Sequence, residues 1–193
     1  MAESNESCDN GDKSFKSAII LMPPETEWTQ IQNIREKHDK AYNRWMPHIN
    51  LIWPFVPDMD CNFDLEFVKI SQALSKLAPF KVKFTQKSFS FFEHKQCVLW
   101  LNPLENDHDD NPHPSVIKLQ KILQNLYPNY YDGTKEFVPH LTLGRFQRKH
   151  INNVRENFQK DWKDIEFEVN KIYLISRKGF EDPFEIKKEI SFN

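Results

Sequence analysis

Two pentapeptides in this chain share one form. Pro47-His48-Ile49-Asn50-Leu51 and Pro139-His140-Leu141-Thr142-Leu143 each run proline, histidine, aliphatic, hydrogen-bonding residue, leucine, with the histidines 92 positions apart. On a strand, successive side chains point to opposite faces. His48 and Asn50 then share one face, with Ile49 and Leu51 on the other; His140 and Thr142 sit likewise over Leu141 and Leu143. Each strand would anchor itself in a core and offer one imidazole and one polar side chain to the opposite side. Proline has no N–H to give to a ladder and fits the start of such a strand.

Two imidazoles facing one cleft can do acid–base work. Histidine has an ordinary pKa of roughly 6.5, so its neutral and protonated forms coexist near neutral pH. One ring can take a proton from an attacking oxygen while the other gives one to a leaving oxygen, which is what cleavage of a phosphodiester requires. Asn50 and Thr142 could donate hydrogen bonds to the non-bridging phosphate oxygens, where charge develops. A lone strand histidine is more often structural. Duplication of the polar face together with the flanking proline sets this pair apart from that reading.

Composition removes other classes. With only 4 glycines and no Gly-rich phosphate-loop string, the chain lacks the usual devices for gripping nucleotide phosphates. Lys plus Arg total 26 against 28 for Asp plus Glu, a net charge of −2. A protein that tracks long nucleic acid carries an excess of positive charge, so a small anionic substrate fits better. Cys8, Cys61 and Cys97 are odd in number and form no C-x-x-C pair, which suggests reduced thiols and a cytoplasmic or nuclear setting. No apolar run approaches the ~20 residues of a membrane span. Residues 1–14 are polar and acidic, unlike a targeting peptide, and read as a disordered tail before a single unit over 15–193.

The elements that must position the two strings alternate between sheet and helix patterns. Ser17–Met22 reads as a strand. A helix over Thr26–Tyr42, capped by Thr26, carries Trp28, Ile31 and Ile34. His48–Phe55 is a strand stopped by proline. Asp64–Leu77 reads as a helix capped by Asp64, with Leu65, Val68, Ala73, Leu74 and Leu77 on or near one face. Phe80–Phe84, Ser88–Phe92 and Cys97–Leu101 are strands, and Asn102–Pro114 is a loop. Ser115–Leu126 is a helix with Val116, Leu119, Ile122, Leu123 and Leu126 inward. Val138–Phe146 is a strand, Asn152–Trp162 a helix, and Ile165–Ser176 and Phe184–Phe192 strands. The order strand, helix, His-strand occurs twice, which suggests two related halves.

The two His strings resemble the paired H-x-[T/S] signatures of the 2H phosphoesterase superfamily, which includes the LigT-like 2′-5′ RNA ligases and cyclic nucleotide phosphodiesterases. The resemblance spans nearly the whole chain after the tail and includes the closing stretch Ile172–Phe184. It implies an α+β, bilobal fold: two pseudo-symmetric antiparallel sheets flank a central cleft, with helices outside. It implies His48 and His140 as the catalytic pair, Thr142 as a phosphate ligand, and neither metal nor cofactor. Asn50 departs from the usual Thr or Ser; its amide NH2 can still donate to phosphate, but from a different position.

Other candidates are secondary. The resemblance suggests that Arg177, after a strand ending near the cleft, touches phosphate, a task suited to guanidinium. Arg145 follows Thr142 by three positions, so strict alternation turns it away from the cleft. Trp53, Phe55 and Phe146 lie just beyond the motifs; Trp53 or Phe146 could stack on a base, although core packing is the commoner fate. The loop Asp107–His113 holds metal-type ligands but reads as solvated, and the run Gln147–His150 reads as an ordinary basic turn. The expected partner is a small nucleotide, oligonucleotide or RNA end bearing a 2′,3′-cyclic phosphate or 2′-5′ phosphodiester, handled by a monomer with no membrane and no obligate protein partner. The pH profile should be a bell centred near neutrality. The rival reading is a nucleotide or RNA-end binding module on the same fold without turnover. RNA ligation is the chemical reverse of transesterification.

Overall fold

A computed structural model describes residues 13–106, 111–130 and 136–192. In chain order its elements are β1 (Ser17–Leu21), α1 (Trp28–His38), β2 (Ile49–Ile52), α2 (Asn62–Leu74), β3 (Phe80–Phe84), β4 (Phe89–Phe92), β5 (Gln96–Leu101), α3 (Pro114–Leu126), β6 (Leu141–Gln147), α4 (Ile151–Asp161), β7 (Ile165–Val169), β8 (Lys171–Ser176) and β9 (Glu185–Ser191). The fold is α+β. Seven strands form one antiparallel sheet in the order β4-β5-β6-β2-β1-β8-β9, and β3 pairs with β7 in a second, smaller sheet.

The two halves anticipated from the repeated pattern are joined edge to edge. β4-β5-β6 meets β2-β1-β8-β9 through one pair, Ile49 opposite Leu141. Helices reinforce that seam by crossing it. α1 leads into β2 but packs on β6, and α3 precedes β6 but packs on β2. Their apolar faces cover Ile49, Leu51, Leu141 and Leu143, all buried in the main core. The other face of β1 and β8 is covered separately, by Trp45, Met46 and Phe184 over Ala18, Ile20, Tyr173 and Ile175. β1 is therefore buried on both faces, which is why SAIIL is apolar almost without interruption.

Several boundaries differ from the sequence reading, each for a local reason. Thr26 does not cap a helix; it lies in a 3-10 turn, Glu25–Glu27, and α1 ends at His38. Asp39 is extended and its side chain accepts hydrogen bonds from Arg35 and from the N–H of Ala41, stopping the helix short of Tyr42. α2 starts two residues before Asp64 and buries Phe63, Glu66, Ile70 and Leu74. Leu65 and Val68, expected inward, are exposed. The competing stripe contained a carboxylate, Glu66, whose burial is compensated by the hydroxyl of Tyr127 and the ammonium of Lys69. The segment Ile165–Ser176 divides at Asn170: β7 alternates and pairs with β3, while β8 is buried almost throughout and pairs with β1 and β9. Residues 1–12 of the expected tail lie outside the described residues. Ser14, its last residue, exchanges backbone hydrogen bonds of 2.7 and 3.2 Å with Phe55.

Helix and sheet come into close contact at Gly144. A Cβ there would lie 2.5 Å from the Cβ of His38 and 2.9 Å from its backbone C and O. Gly144→Ala must push α1 off β6, and overpacking of this kind costs about 1–3 kcal/mol. Thermal unfolding should show Tm lowered by several degrees. An unchanged Tm would mean that α1 and β6 can part without loss.

Candidate functional site

The single pair Ile49–Leu141 dictates what stands opposite what. In an antiparallel ladder, moving one residue forward on β2 moves one back on β6. His48 therefore faces Thr142 across the seam, and Asn50 faces His140. All four project from the face opposite the helices. Diagonal neighbours in such a ladder lie about 7–8 Å apart, and both imidazoles line one cavity.

Both rings are held by the same device. The Nδ1–H of His48 donates to the carbonyl of Met46 at 2.6 Å, and that of His140 to the carbonyl of Val138 at 2.8 Å. In each case the acceptor is the residue two positions back. A carbonyl can only accept, so Nδ1 must carry the proton, and Nε2 of the neutral ring is left to accept or relay one. Burial pushes the His48 imidazole down to about 4, against the pull of the Met46 carbonyl, with Arg35 and His140 adding to the lowering. Burial lowers His140 as well, opposed by the Val138 carbonyl.

Two cavities meet at these side chains. One, of about 580 Å³, is lined by His48, His140, Asn50 and Thr142 together with Arg35, Lys40, Arg44 and Arg145. The other, of about 710 Å³, is more apolar and is lined by Phe15, Trp53, Phe92, Tyr130 and Phe137. Asn50, Trp53, Phe92 and His140 border both. The cleft thus has a cationic side and an aromatic side, with the histidine pair near the boundary. The Oδ1 of Asn50 is buried without a hydrogen-bond partner.

Of the residues singled out in the sequence, His48, His140, Asn50, Thr142 and Trp53 come together. Phe146 does not. It turns to the helix side, where its ring packs 4.7 Å from His38 and 6.0 Å from Phe158. Arg177 does not line either cavity at the histidines. Its guanidinium lies 4.5 Å from the ring centroid of Phe184 and donates to the carbonyls of Phe180 and Phe15, which uses it as a tie for the terminal segments. Phe55 is core, packed on Tyr127 and Tyr130.

Arg145 is the converse case. β6 pairs Thr142 with Trp100 but Gly144 with Leu99, so Leu143 is an extra residue on its side of the ladder. The bulge shifts the alternation by one and brings Arg145 into the cavity with the histidines. The neighbouring glycine inside a strand pattern was the available signal. Trp45, Arg35 and Phe92 also border the site and carry no sequence pattern that marks them. His113 is structural: its Nδ1 accepts from the N–H of Ser115 at the start of α3, and its Nε2–H donates to the carbonyl of Lys81. Residues 107–110 of the same loop lie outside the described residues. Among the described residues, no group of three His, Cys, Asp or Glu is placed to hold a metal ion, and no helix is long and apolar enough to cross a membrane.

Comparison with known proteins agrees with this architecture. E. coli LigT complexed with 3′-AMP superimposes with a TM-score of 0.59 at 15% identity, covering 92% of this chain and 97% of LigT. A protein of Thermus thermophilus gives 0.56 at 15% identity, covering 91% and 97%. A Geobacillus kaustophilus protein, provisionally named a phosphoesterase, is 27% identical over 137 residues, which is 68% of this chain and 69% of that protein. Residues 23–181, which include both His strings and the strands that carry them, match the family model of the 2′-5′ RNA ligase superfamily, and the chain belongs to that family.

Proposed function

We propose that this chain is a metal-independent phosphodiesterase that acts on a small nucleotide or RNA end, at a 2′,3′-cyclic phosphate or a 2′-5′ phosphodiester, with His48 and His140 as paired general base and general acid. One observation carries the reading. Two imidazoles, each one residue before one of two neighbouring central strands, border one cleft, and each is fixed as the Nδ1–H tautomer by the carbonyl two residues before it. Simple binding has no need of two rings locked with Nε2 left for proton transfer. Membership of the superfamily and the name of the Geobacillus relative point the same way, as does the capture of 3′-AMP by LigT.

In this mechanism the phosphorus sits between the two rings. His48, which burial lowers to about 4 and so keeps neutral, takes the proton of the attacking oxygen as the new O–P bond forms. That oxygen is water for a cyclic phosphate, or the neighbouring ribose hydroxyl for a 2′-5′ linkage. His140 passes a proton to the leaving oxygen as the old P–O bond breaks. Thr142 donates to a non-bridging oxygen, and Asn50 does so in the rotamer that presents its NH2. Arg145, brought in by the bulge, supplies a guanidinium for the same charge. Trp53, 43% exposed at the boundary of both cavities, offers a face for a nucleobase.

Turnover of a 2′,3′-cyclic mononucleotide and a 2′-5′ dinucleotide tests the proposal directly. His48→Ala and His140→Ala should each lower turnover by at least ~100-fold, and a strong chelator should leave the wild-type rate unchanged. Near-normal rates in both variants, or loss with chelator, would contradict the mechanism.

The lowered imidazoles also set a pH dependence. kcat/KM reports the free protein. His48 must be deprotonated to act as base, and its lowered pKa of about 4 marks the acid limb. His140 must be protonated to act as acid, and its pKa lies below the ordinary 6.5, so the alkaline limb begins on the acid side of neutrality. The bell expected near pH 7 from ordinary histidines therefore moves to lower pH. kcat/KM that still climbs through pH 8 would rule out this protonation scheme.

A further inference from the structure

The two histidines share a backbone device but differ in what surrounds them. His48 lies flat on the indole of Trp45, with ring centroids 4.5 Å apart and planes 20° from parallel. His140 meets Phe92 and Trp100 at steep angles, 88° and 64°. The environment of the first ring is face-to-face; that of the second is not.

Trp45 is itself held firmly. Phe184 lies against it at 3.9 Å, and the Arg177 guanidinium lies over Phe184 in turn. The carbonyl of Trp45 accepts a 2.9 Å hydrogen bond from Nη2 of Arg35, a buried guanidinium anchored by Asp39. The N–H of Phe184 donates to the carbonyl of Arg44, which ties the closing segment to the loop that carries Trp45. One side of the indole thus packs with Phe184 on the second core cluster, and the ring also stacks on the His48 imidazole.

An aromatic face is the negative side of the ring quadrupole and attracts a cation placed over it. We propose that Trp45 is a positioning residue that stabilises the imidazolium formed when His48 takes the proton of the attacking oxygen, and that this asymmetry assigns His48 as base and His140 as acid. The inference rests on the two-histidine reading above. In the step it describes, the attacking O–H gives its proton to Nε2 of His48 while O–P forms, and Nε2–H of His140 gives its proton to the leaving oxygen while P–O breaks. His48 begins neutral and ends as a cation against the indole; His140 begins as a cation and ends neutral. Exchange with solvent after product release restores both. A stacked indole holds the neutral ring by ordinary stacking and the imidazolium more strongly, and that difference, gained only in the step, acts on kcat.

Trp45 also borders the cleft, and contact with substrate would act on KM instead. The experiment separates the two. Trp45 is replaced in the full chain by mono-, di- and tetrafluoro-tryptophan, which keep the shape of the indole and progressively weaken its negative face. Single-turnover rate and KM are measured with a 2′,3′-cyclic mononucleotide, alongside His48→Ala. The expected result is a rate that falls with each added fluorine, reaching about 2- to 30-fold at the tetrafluoro ring, with KM unchanged. A flat rate across the series overturns the inference, as does a rise in KM at constant rate. Should His48→Ala keep its activity, the two-histidine reading fails; should it lose activity while the fluorinated series stays flat, only the role of Trp45 fails.

Discussion

The site depends on one strand pairing. β2 and β6 touch through Ile49 and Leu141, and from that register follows the square of His48, Thr142, His140 and Asn50 on the cleft face. A slip of one residue in either strand would turn its imidazole and its polar neighbour toward the helices. The slip is blocked from behind. Ile49, Leu51, Leu141 and Leu143 are buried on the opposite face, and a slip of either strand would expose two of them at a cost of about 1.5–3 kcal/mol each. The crossing of α1 onto β6 and of α3 onto β2 adds a second lock, because neither half can shift without dragging a helix of the other.

The His strands were legible because their alternation is simple. Pro-His-aliphatic-polar-Leu states which residue faces the cleft and which the core, and the structure keeps that division in both strands. Arg145 was not legible by the same rule, since alternation fails at a bulge, and the bulge shows only as a register change between Leu99–Gly144 and Trp100–Thr142. Phe146 went wrong for the same reason in reverse: one step of phase sent it to His38 instead of the cleft. α2 was misjudged because its buried stripe includes Glu66. A hydrophobic pattern cannot show that Tyr127, 61 positions away, will satisfy that carboxylate. Arg177 lay near the end of the correct strand, yet its three partners Phe15, Phe180 and Phe184 decide its orientation.

Charge and aromatic character are divided across the cleft. The chain as a whole is nearly neutral, but Arg35, Lys40, Arg44 and Arg145 gather on one side of the histidines against a single carboxylate, Asp39, which pairs with Arg35. Such local concentration suits a small anion better than a long polyanion, which would call for a basic stripe over the surface. Phe15, Trp53, Phe92 and Phe137 line the other side. The partial burial that lowers both imidazoles would also strengthen the interactions they make with an anion in the cleft.

In the proposed mechanism the two rings act together on one phosphorus. The double variant His48→Ala/His140→Ala, compared with each single variant in the same turnover assay, tests this most directly. Groups that serve a single proton-transfer step are strongly non-additive, so the double variant should be about as slow as the slower single variant. Losses that multiply, with the double variant slower by the product of the two single effects, would show that the rings act independently and would contradict the account.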